Sequence, residues 1–503
     1  MEGGAFCLGV VVVSLMVLQN NLDRPLLRGN NSPTADDGEF FMDSQSFKDM
    51  GKQIIDWIDG YMENGHQGPV SPINLSPGEL LAKLPQAPPQ EAEAGDKVFQ
   101  DFKDLILPGV THWNDPRFFG YFPCNTSRPG VLGDLLGTGL GVNAMSWATS
   151  PAATELEIRM LEWLGQMIGL SWPGCIQDTA STGTLVAILS AREKAAPVNK
   201  EGYYGIKPLV VYTSEHANTV VLKGCWIAGI GEKYIRNIPG DPKTFAMRAD
   251  LLEEQIEKDV AAGLQPCLVV TTVGTTSSTA VDPVARVAEL CKKYGMWQHV
   301  DAAMAGSAAI LPECRSWLMD GVSEADSFCF NPHKWLFTNF DCSAYFCKDP
   351  YYLKKALSIQ PVYLETAYDG AAENFRNWGI QLGRRFRALK LWWVIRCFGV
   401  EGLQEKIRLH MKMAIAFAEK VKAEPRLVLD IEPNLNTVCF RAREDHLSKE
   451  LMAAVNATGQ AFLTHTTLNG RYVIRVSFGQ TEAQFEDVEK LWSLILNQFA
   501  QDF

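Results

Sequence analysis

The sequence predicts an α/β protein, with a mainly parallel sheet covered by helices on both faces and a small α+β domain after it. Three observations carry this. Between residues 126 and 391, stretches of helical periodicity alternate with short runs of β-branched and aromatic residues, the pattern of repeated strand–helix–strand units. From 392 to 503 the order changes to one long helical pattern, several strand-like runs and a closing helix. Residues 39–125 fit neither pattern. They open with an amphipathic helix carrying Ile54, Ile55, Trp57, Ile58 and Tyr61, then run through Pro69, Pro72, Pro77, Pro85, Pro88 and Pro89. Such a segment has no core of its own and must pack on something else.

The elements follow in order. In 126–391 the periodicity gives helices over 152–168, 184–196, 251–262 and 283–294, and strands over 209–212, 267–272, 298–301, 327–330 and 343–346. The last part gives a helix over 402–422, strands over 427–431, 437–441 and 472–477, and a helix over 481–499. Residues 1–38 are an appendage. Within it, 5–18 are nearly all apolar but fall short of the ~20 residues a spanning helix needs, and 19–38 read as a polar linker. Glu2 and the lack of a basic residue before the apolar run argue against a secretory signal.

Composition narrows the partners. The net charge of −12, spread along the chain, argues against nucleic acid and against an anionic membrane surface, leaving residues 5–18 as the only membrane candidate. The 12 cysteines form no CxxC pair and no metal-ligand spacing. Reduced thiols, a cytoplasmic location and no metal are the reading, with targeting through 5–18 as the alternative.

The chemistry concentrates at the ends of the predicted strands. Asp301 closes the run ending His299-Val300, and Lys334 follows Phe328-Cys329-Phe330 within Asn331-Pro332-His333-Lys334-Trp335. A lysine for a Schiff base and a carboxylate to keep a pyridine nitrogen protonated are what a pyridoxal phosphate site needs. The turn Asp178-Thr179-Ala180-Ser181-Thr182-Gly183 opens a helix and suits a phosphate. Val273-Gly274-Thr275-Thr276 follows strand 267–272, so Thr276, Asp301 and the residues after Phe330 share the carboxyl end of the sheet, where ligands of open α/β sheets collect.

Further motifs extend the pattern: Thr111-His112-Trp113, Phe118-Phe119-Gly120-Tyr121-Phe122-Pro123, Ser150-Pro151-Ala152-Ala153-Thr154-Glu155-Leu156-Glu157, His299-Val300-Asp301-Ala302-Ala303 and Leu382-Gly383-Arg384-Arg385-Phe386-Arg387. With them the chain, from about 42 to 500, resembles the group II pyridoxal-phosphate-dependent decarboxylases, in their aromatic-L-amino-acid branch. The resemblance implies the PLP-dependent transferase fold type I, with a seven-stranded central sheet. It also implies a homodimer whose N-terminal segment crosses to the partner.

By resemblance, Lys334 carries the cofactor and Asp301 meets its ring nitrogen. Ala180, Ser181 and His333 hold the phosphate with Asn331 alongside, while Thr276 and Ala303 line the ring. Trp113, Tyr121, Phe122 and Met145 border a large aromatic side-chain pocket, with Cys124 nearby. Tyr363, in Gln360-Pro361-Val362-Tyr363-Leu364, matches a mobile-loop tyrosine that protonates the substrate carbon.

Three departures stand out: Thr182-Gly183 replaces an acidic or small pair, Met304 stands where relatives often have Tyr, and the histidine stacked on the ring is displaced. The chain reads Ser214-Glu215-His216-Ala217-Asn218-Thr219. Ungapped register puts Asn218 at the stacking position, and His216 lies one pleat away on the same side, from where a local shift could still bring it over the ring. The expected activity is decarboxylation of an aromatic L-amino acid (Tyr, Dopa, Trp or Phe) to its amine. The alternative is an aldehyde synthase that also consumes O2 and releases ammonia and hydrogen peroxide, which Asn218 suggests.

Overall fold

A computed structural model of the chain describes residues 42–502. The apolar run 5–18 and the linker 19–38 lie outside the described residues. The large sheet contains β1 (Gly174–Gln177), β2 (Leu209–Ser214), β3 (Ile235–Ile238), β4 (Gln265–Thr272), β5 (Trp297–Asp301), β6 (Ser327–Phe330) and β7 (Ser343–Cys347), in the order β1-β7-β6-β5-β4-β2-β3. β3, β2, β4, β5 and β6 pair in parallel, and β7 runs antiparallel to both β6 and β1. The seven-stranded, mainly parallel sheet expected from the sequence is present.

Burial explains why these strands read as continuous apolar runs. Every residue of β2, β5, β6 and β7 is buried, because helices cover both faces. Alternate side chains go to opposite layers. Val300, Phe328, Phe330 and Phe346 pack with the helix Pro151–Ile168 and residues 388–407. Val211, Trp297, Cys329 and Tyr345 pack with the helix Ala180–Ala195 and the short helix Val220–Ile227.

The small domain carries an antiparallel sheet in the order β10-β11-β9-β8, from β8 (Leu427–Ile431), β9 (Thr437–Ala442), β10 (Thr464–Leu468) and β11 (Arg471–Ser477). Its core joins the second half of the helix Arg387–Ala423 to the helix Phe485–Asp502. Residues 118–125 lace it to the large sheet. The Phe119 N–H donates to Phe462 O, the Phe119 carbonyl accepts from Ser477 N, and the Asn125 side chain donates to the carbonyls of Lys334 and Gly479. Among the described residues, no helix is long and apolar enough to cross a membrane.

Several elements were not legible in the sequence. The long helix begins at Arg387 rather than near 402, interrupted at Gly399, where φ is 66°. β1 is four residues beginning with glycine, and β3 is a half-buried edge strand with Arg236 and Asn237 in it. The helix Arg128–Leu140 contains Gly130, Gly133, Gly137 and Gly139, which lower its intrinsic propensity. One of these has a packing reason, since a Cβ on Gly133 would lie 2.5 Å from the Lys390 Cα of the helix crossing it.

That contact yields a test. Gly133→Ala should destabilise the fold by the ~1–3 kcal/mol typical of overpacking and so lower its thermal midpoint. Gly139→Ala, with nothing within 4 Å of its new methyl group, should leave stability unchanged or raise it. Melting curves of the two variants distinguish close packing from simple helix propensity.

Candidate active site

A cavity of about 210 Å³ opens at the carboxyl ends of β4, β5 and β6. β4 and β5 finish level, with Thr272 paired to Asp301, and Asp301 is paired to Cys329 one residue before β6 ends. Ten of the residues singled out in the sequence line the cavity: Phe122, Ala180, Ser181, Asn218, Thr276, Asp301, Ala303, Asn331, His333 and Lys334. Thr179 and Gly274, from the two quoted turns, line it too, as do Val220, Thr272 and Phe340, which had not been singled out. Gly274 has φ 84°, and a Cβ there would meet Ala305 Cβ at 2.5 Å, so this wall admits only glycine. A larger cleft of about 660 Å³, bordered by Glu63, His66, Arg117 and Lys490, holds none of the predicted residues.

The reactive pair is held in opposition. Burial pushes the Asp301 carboxyl up and the Lys334 amine down, and each group's charge partly reverses the other's shift. Asp301 Oδ1 accepts the Ala303 N–H at 3.0 Å. Lys334 sits on the short turn Pro332–Trp335, pinned where Asn125 N donates to His333 O and Asn125 Nδ2 donates to Lys334 O at 2.6 Å. Its Nζ lies 5.3 Å from the Phe122 ring centroid.

The polar end is built from Thr179, Ala180 and Ser181, where a 16-residue helix begins with its first N–H groups free of intrahelical partners. His333 Nδ1 accepts the Cys342 N–H at 2.9 Å, which leaves the ring hydrogen on Nε2. Burial and the Lys334 charge bring the His333 pKa down to about 3, so it is a neutral donor. Asn331 Oδ1 accepts from Ser343 Oγ at 2.7 Å.

Asn218 borders the cavity and His216 does not. The Asn218 Oδ1 is taken by Val220 N at 3.0 Å, which leaves its amide hydrogens free. The His216 ring packs edge-on to Phe245 at 5.5 Å and beside Glu215 at 3.6 Å, with Gly240 against it.

Five singled-out residues lie outside the cavity of this protomer. Trp113 and Tyr121 stack on each other at 5.2 Å and are 38% and 50% exposed. Cys124 is half-buried and close enough to feel the Lys334 charge, though burial dominates and raises its thiol pKa. The Met145 carbonyl accepts the Arg376 N–H at 2.8 Å, and Tyr363 is 80% exposed on a loop.

Two arginines gain a place. Arg384 forms a buried two-point pair with Glu157, at 2.6 and 3.1 Å, and both bond to the backbone of Ile176 in β1. That pair explains why the Glu157 and Arg384 motifs, so far apart in sequence, belong together. Arg475 was missed, although a lone arginine in the apolar strand Val473-Ile474-Arg475-Val476 was a usable signal. Its guanidinium lies 4.4 Å over the face of Phe122 with no carboxylate paired to it among the described residues, and it donates to the Tyr121 carbonyl.

Comparison with known proteins identifies the family. Residues 77–443 match the model described as "Pyridoxal-dependent decarboxylase conserved domain". The chain is 40% identical to rat aromatic-L-amino-acid decarboxylase, over 90% of this chain and 97% of that one. It is also 40% identical to Arabidopsis thaliana phenylacetaldehyde synthase, over 90% and 96%. The crystal structure of Oryza sativa TDC with PLP and tryptamine superposes with a TM-score of 0.88 at 35% identity, covering 92% of this chain and 99% of that one.

Two variants test the pair. Lys334→Ala should remove the cofactor's visible band near ~420 nm and the borohydride-fixed adduct while the fold persists. A fixed adduct on another lysine would contradict the assignment. Asp301→Asn should bind cofactor through the polar end yet cut turnover by roughly two orders of magnitude or more, since removing one charge of a buried pair strands the other.

Proposed function

Since this chain belongs to the pyridoxal-dependent decarboxylase family, we propose that its substrate is an aromatic L-amino acid and its product the corresponding arylalkylamine and CO2. The observation that carries this reading is a buried amine and a buried carboxylate facing one cavity whose wall at Lys334 is the Phe122 ring. Pyridoxal phosphate, when bound, supplies the sink for the electron pair left as the Cα–CO2 bond breaks. The chain supplies the rest. Lys334 would hold the cofactor through Nζ, and Asp301 would keep a proton on its ring nitrogen. The helix start at Ala180 and Ser181, with His333 Nε2–H and Asn331, would seat its phosphate. Thr276 and Ala303 would border its ring, and Trp113, Tyr121, Phe122, Cys124 and Met145 the substrate's.

Tyr363 would return a proton to Cα. Its exposure outside the cavity means that the loop must close over a site, its own or that of a second subunit. A homodimer suits this chain. Leu132, Leu135, Leu136 and Leu140 stand exposed on one helix, and Phe47, Ile54 and Ile55 on the N-terminal helix, an apolar surface of the kind a subunit interface covers. All cysteines among the described residues are free thiols, which suits the cytoplasm.

Asn218 favours a second reading. An amide cannot donate a proton as an acid near neutral pH, whereas an imidazole can. With Asn218 at the cavity and His216 turned to Phe245, protonation at Cα loses one helper. Oxygen would then compete, converting amino acid, O2 and water to aldehyde, CO2, ammonia and hydrogen peroxide.

Turnover of Tyr, Dopa, Trp and Phe in air, with amine, CO2 and peroxide measured together, decides between them. Amine equal to CO2 without peroxide establishes the decarboxylase. Peroxide equal to CO2 establishes the synthase. Asn218→His should move the product toward amine and His216→Ala should change it little, whereas Tyr363→Phe should raise the peroxide share while CO2 release continues.

A further inference from the structure

Behind Asp301, away from the cavity, lies a row of polar side chains that no step above uses. Trp297, His299 and Asp301 share one face of β5, and Ser327 and Cys329 sit beside them on β6, paired His299 to Ser327 and Asp301 to Cys329. All five are buried among apolar neighbours. Trp297 Nε1 lies 2.9 Å from Ser327 Oγ, and Ser327 Oγ lies 2.9 Å from His299 Nδ1. His299 Nε2 lies 3.7 Å from Cys329 Sγ, which lies 4.0 Å from Asp301 Oδ1.

The hydrogens can be assigned in order. An indole N–H only donates, so Ser327 Oγ accepts it, and the hydroxyl's own hydrogen has two acceptors within reach, His299 Nδ1 and the Tyr345 hydroxyl. Given to His299 Nδ1, that hydrogen fixes the imidazole as the Nε2–H form, which points at Cys329 Sγ. The thiol hydrogen is then free for Asp301 Oδ1. Burial keeps both relays neutral, with His299 down to about 3 and the Cys329 thiol well above its usual range. The other ionisable groups against this row are Lys334, across Asp301, Tyr345, whose ring lies 6.0 Å from His299, and, at Trp297, Lys194 with its Nζ 5.5 Å from the indole centroid and Cys291 with its Sγ 3.9 Å from the backbone carbonyl. Oδ1 thus collects Ala303 N–H and the thiol, while Oδ2 has no hydrogen-bond partner among the described residues.

We propose that Ser327, His299 and Cys329 are positioning residues. They form a one-way donor relay onto Asp301 Oδ1 that holds this carboxylate ionised, so that the proton between Oδ2 and the cofactor's ring nitrogen rests on the ring. The inference rests on the reading that Asp301 meets that nitrogen. Its distinctive member is Cys329. A thiol reaches the carboxylate from the strand next door and gives its hydrogen without carrying a charge of its own into the core.

The test uses holoenzyme loaded with cofactor 15N-labelled at the ring nitrogen. Two signals are read, the 15N shift and the pH midpoint of the visible band, in wild type, Cys329→Ala, Cys329→Ser, Ser327→Ala and Asp301→Asn. Cys329→Ala should move the 15N signal toward the unprotonated position and raise the band midpoint by ~0.5 unit or more, a size ordinary for one lost hydrogen bond. Cys329→Ser, which keeps a donor, should recover part of both shifts. Ser327→Ala frees the imidazole to turn and should shift both signals the same way as Cys329→Ala. If Asp301→Asn moves both signals while the relay variants match wild type at unchanged melting temperature, the relay is refuted and the role of Asp301 stands. If Asp301→Asn also matches wild type, the Asp301 reading fails and the relay with it. Should Cys329→Ala fail to load cofactor, Ser327→Ala decides by the same signals.

Discussion

Parallel pairing of β4, β5 and β6 brings three strand ends to one edge of the sheet, and the chemistry of the molecule is arranged around that edge. Both faces are sealed by helices, so a group that must meet a ligand has only the strand ends to occupy. Asp301 is the last residue of its strand, and Asn331 to Lys334 follow directly on theirs. The same pairing lines up the inward row Trp297, His299 and Asp301 against Ser327 and Cys329. Site and backing therefore come from one register, and a slip of one residue would turn both to the wrong face.

Such a site must keep charges where water would stabilise them better. Asp301 and Lys334 are each disfavoured by burial, and each is partly restored by the other. Arg475 has no carboxylate partner among the described residues, and burial draws its pKa down to about 10. Glu157 and Arg384 are a contrasting case: paired at two points and bonded to β1, they satisfy each other and fasten the sheet's antiparallel edge. The scaffold pair is self-contained. The pair at the cavity is left open to a third partner, the condition for binding one.

Much of this was legible in advance. The strand that ends in Asp301 and the strand that leads to Lys334 are buried on both sides and bounded by polar turns, so their ends could be read to within a residue. The turn at Ala180 and Ser181 and the cluster at Thr276 followed from the same logic. What failed had physical reasons. Four glycines in Arg128–Leu140 hide a helix, of which Gly133 is the one its close crossing with Lys390 requires, and β1 is too short to show a period. Trp113, Tyr121, Cys124, Met145 and Tyr363 do not line the cavity within one protomer. A linear pattern carries no information about which surface a second copy covers. Asn218 borders the cavity and His216 does not, as the ungapped register had it, although the residues after β2 form a turn and not a further pleat.

The edge strand β1 has a consequence for how the protein is made. Its partner in the sheet is β7, roughly 170 residues further on, and the salt bridge that clasps it needs Arg384 later still. A chain emerging from the ribosome at ~5–20 residues per second therefore carries Gly174–Gln177 unpaired for many seconds while the strands that will stand between it and β5 are still being synthesised. Throughout that interval an exposed backbone edge is available to other nascent chains. The yield of folded enzyme in a cell should accordingly depend on translation speed and chaperone supply between these two segments more than on the final stability of the fold.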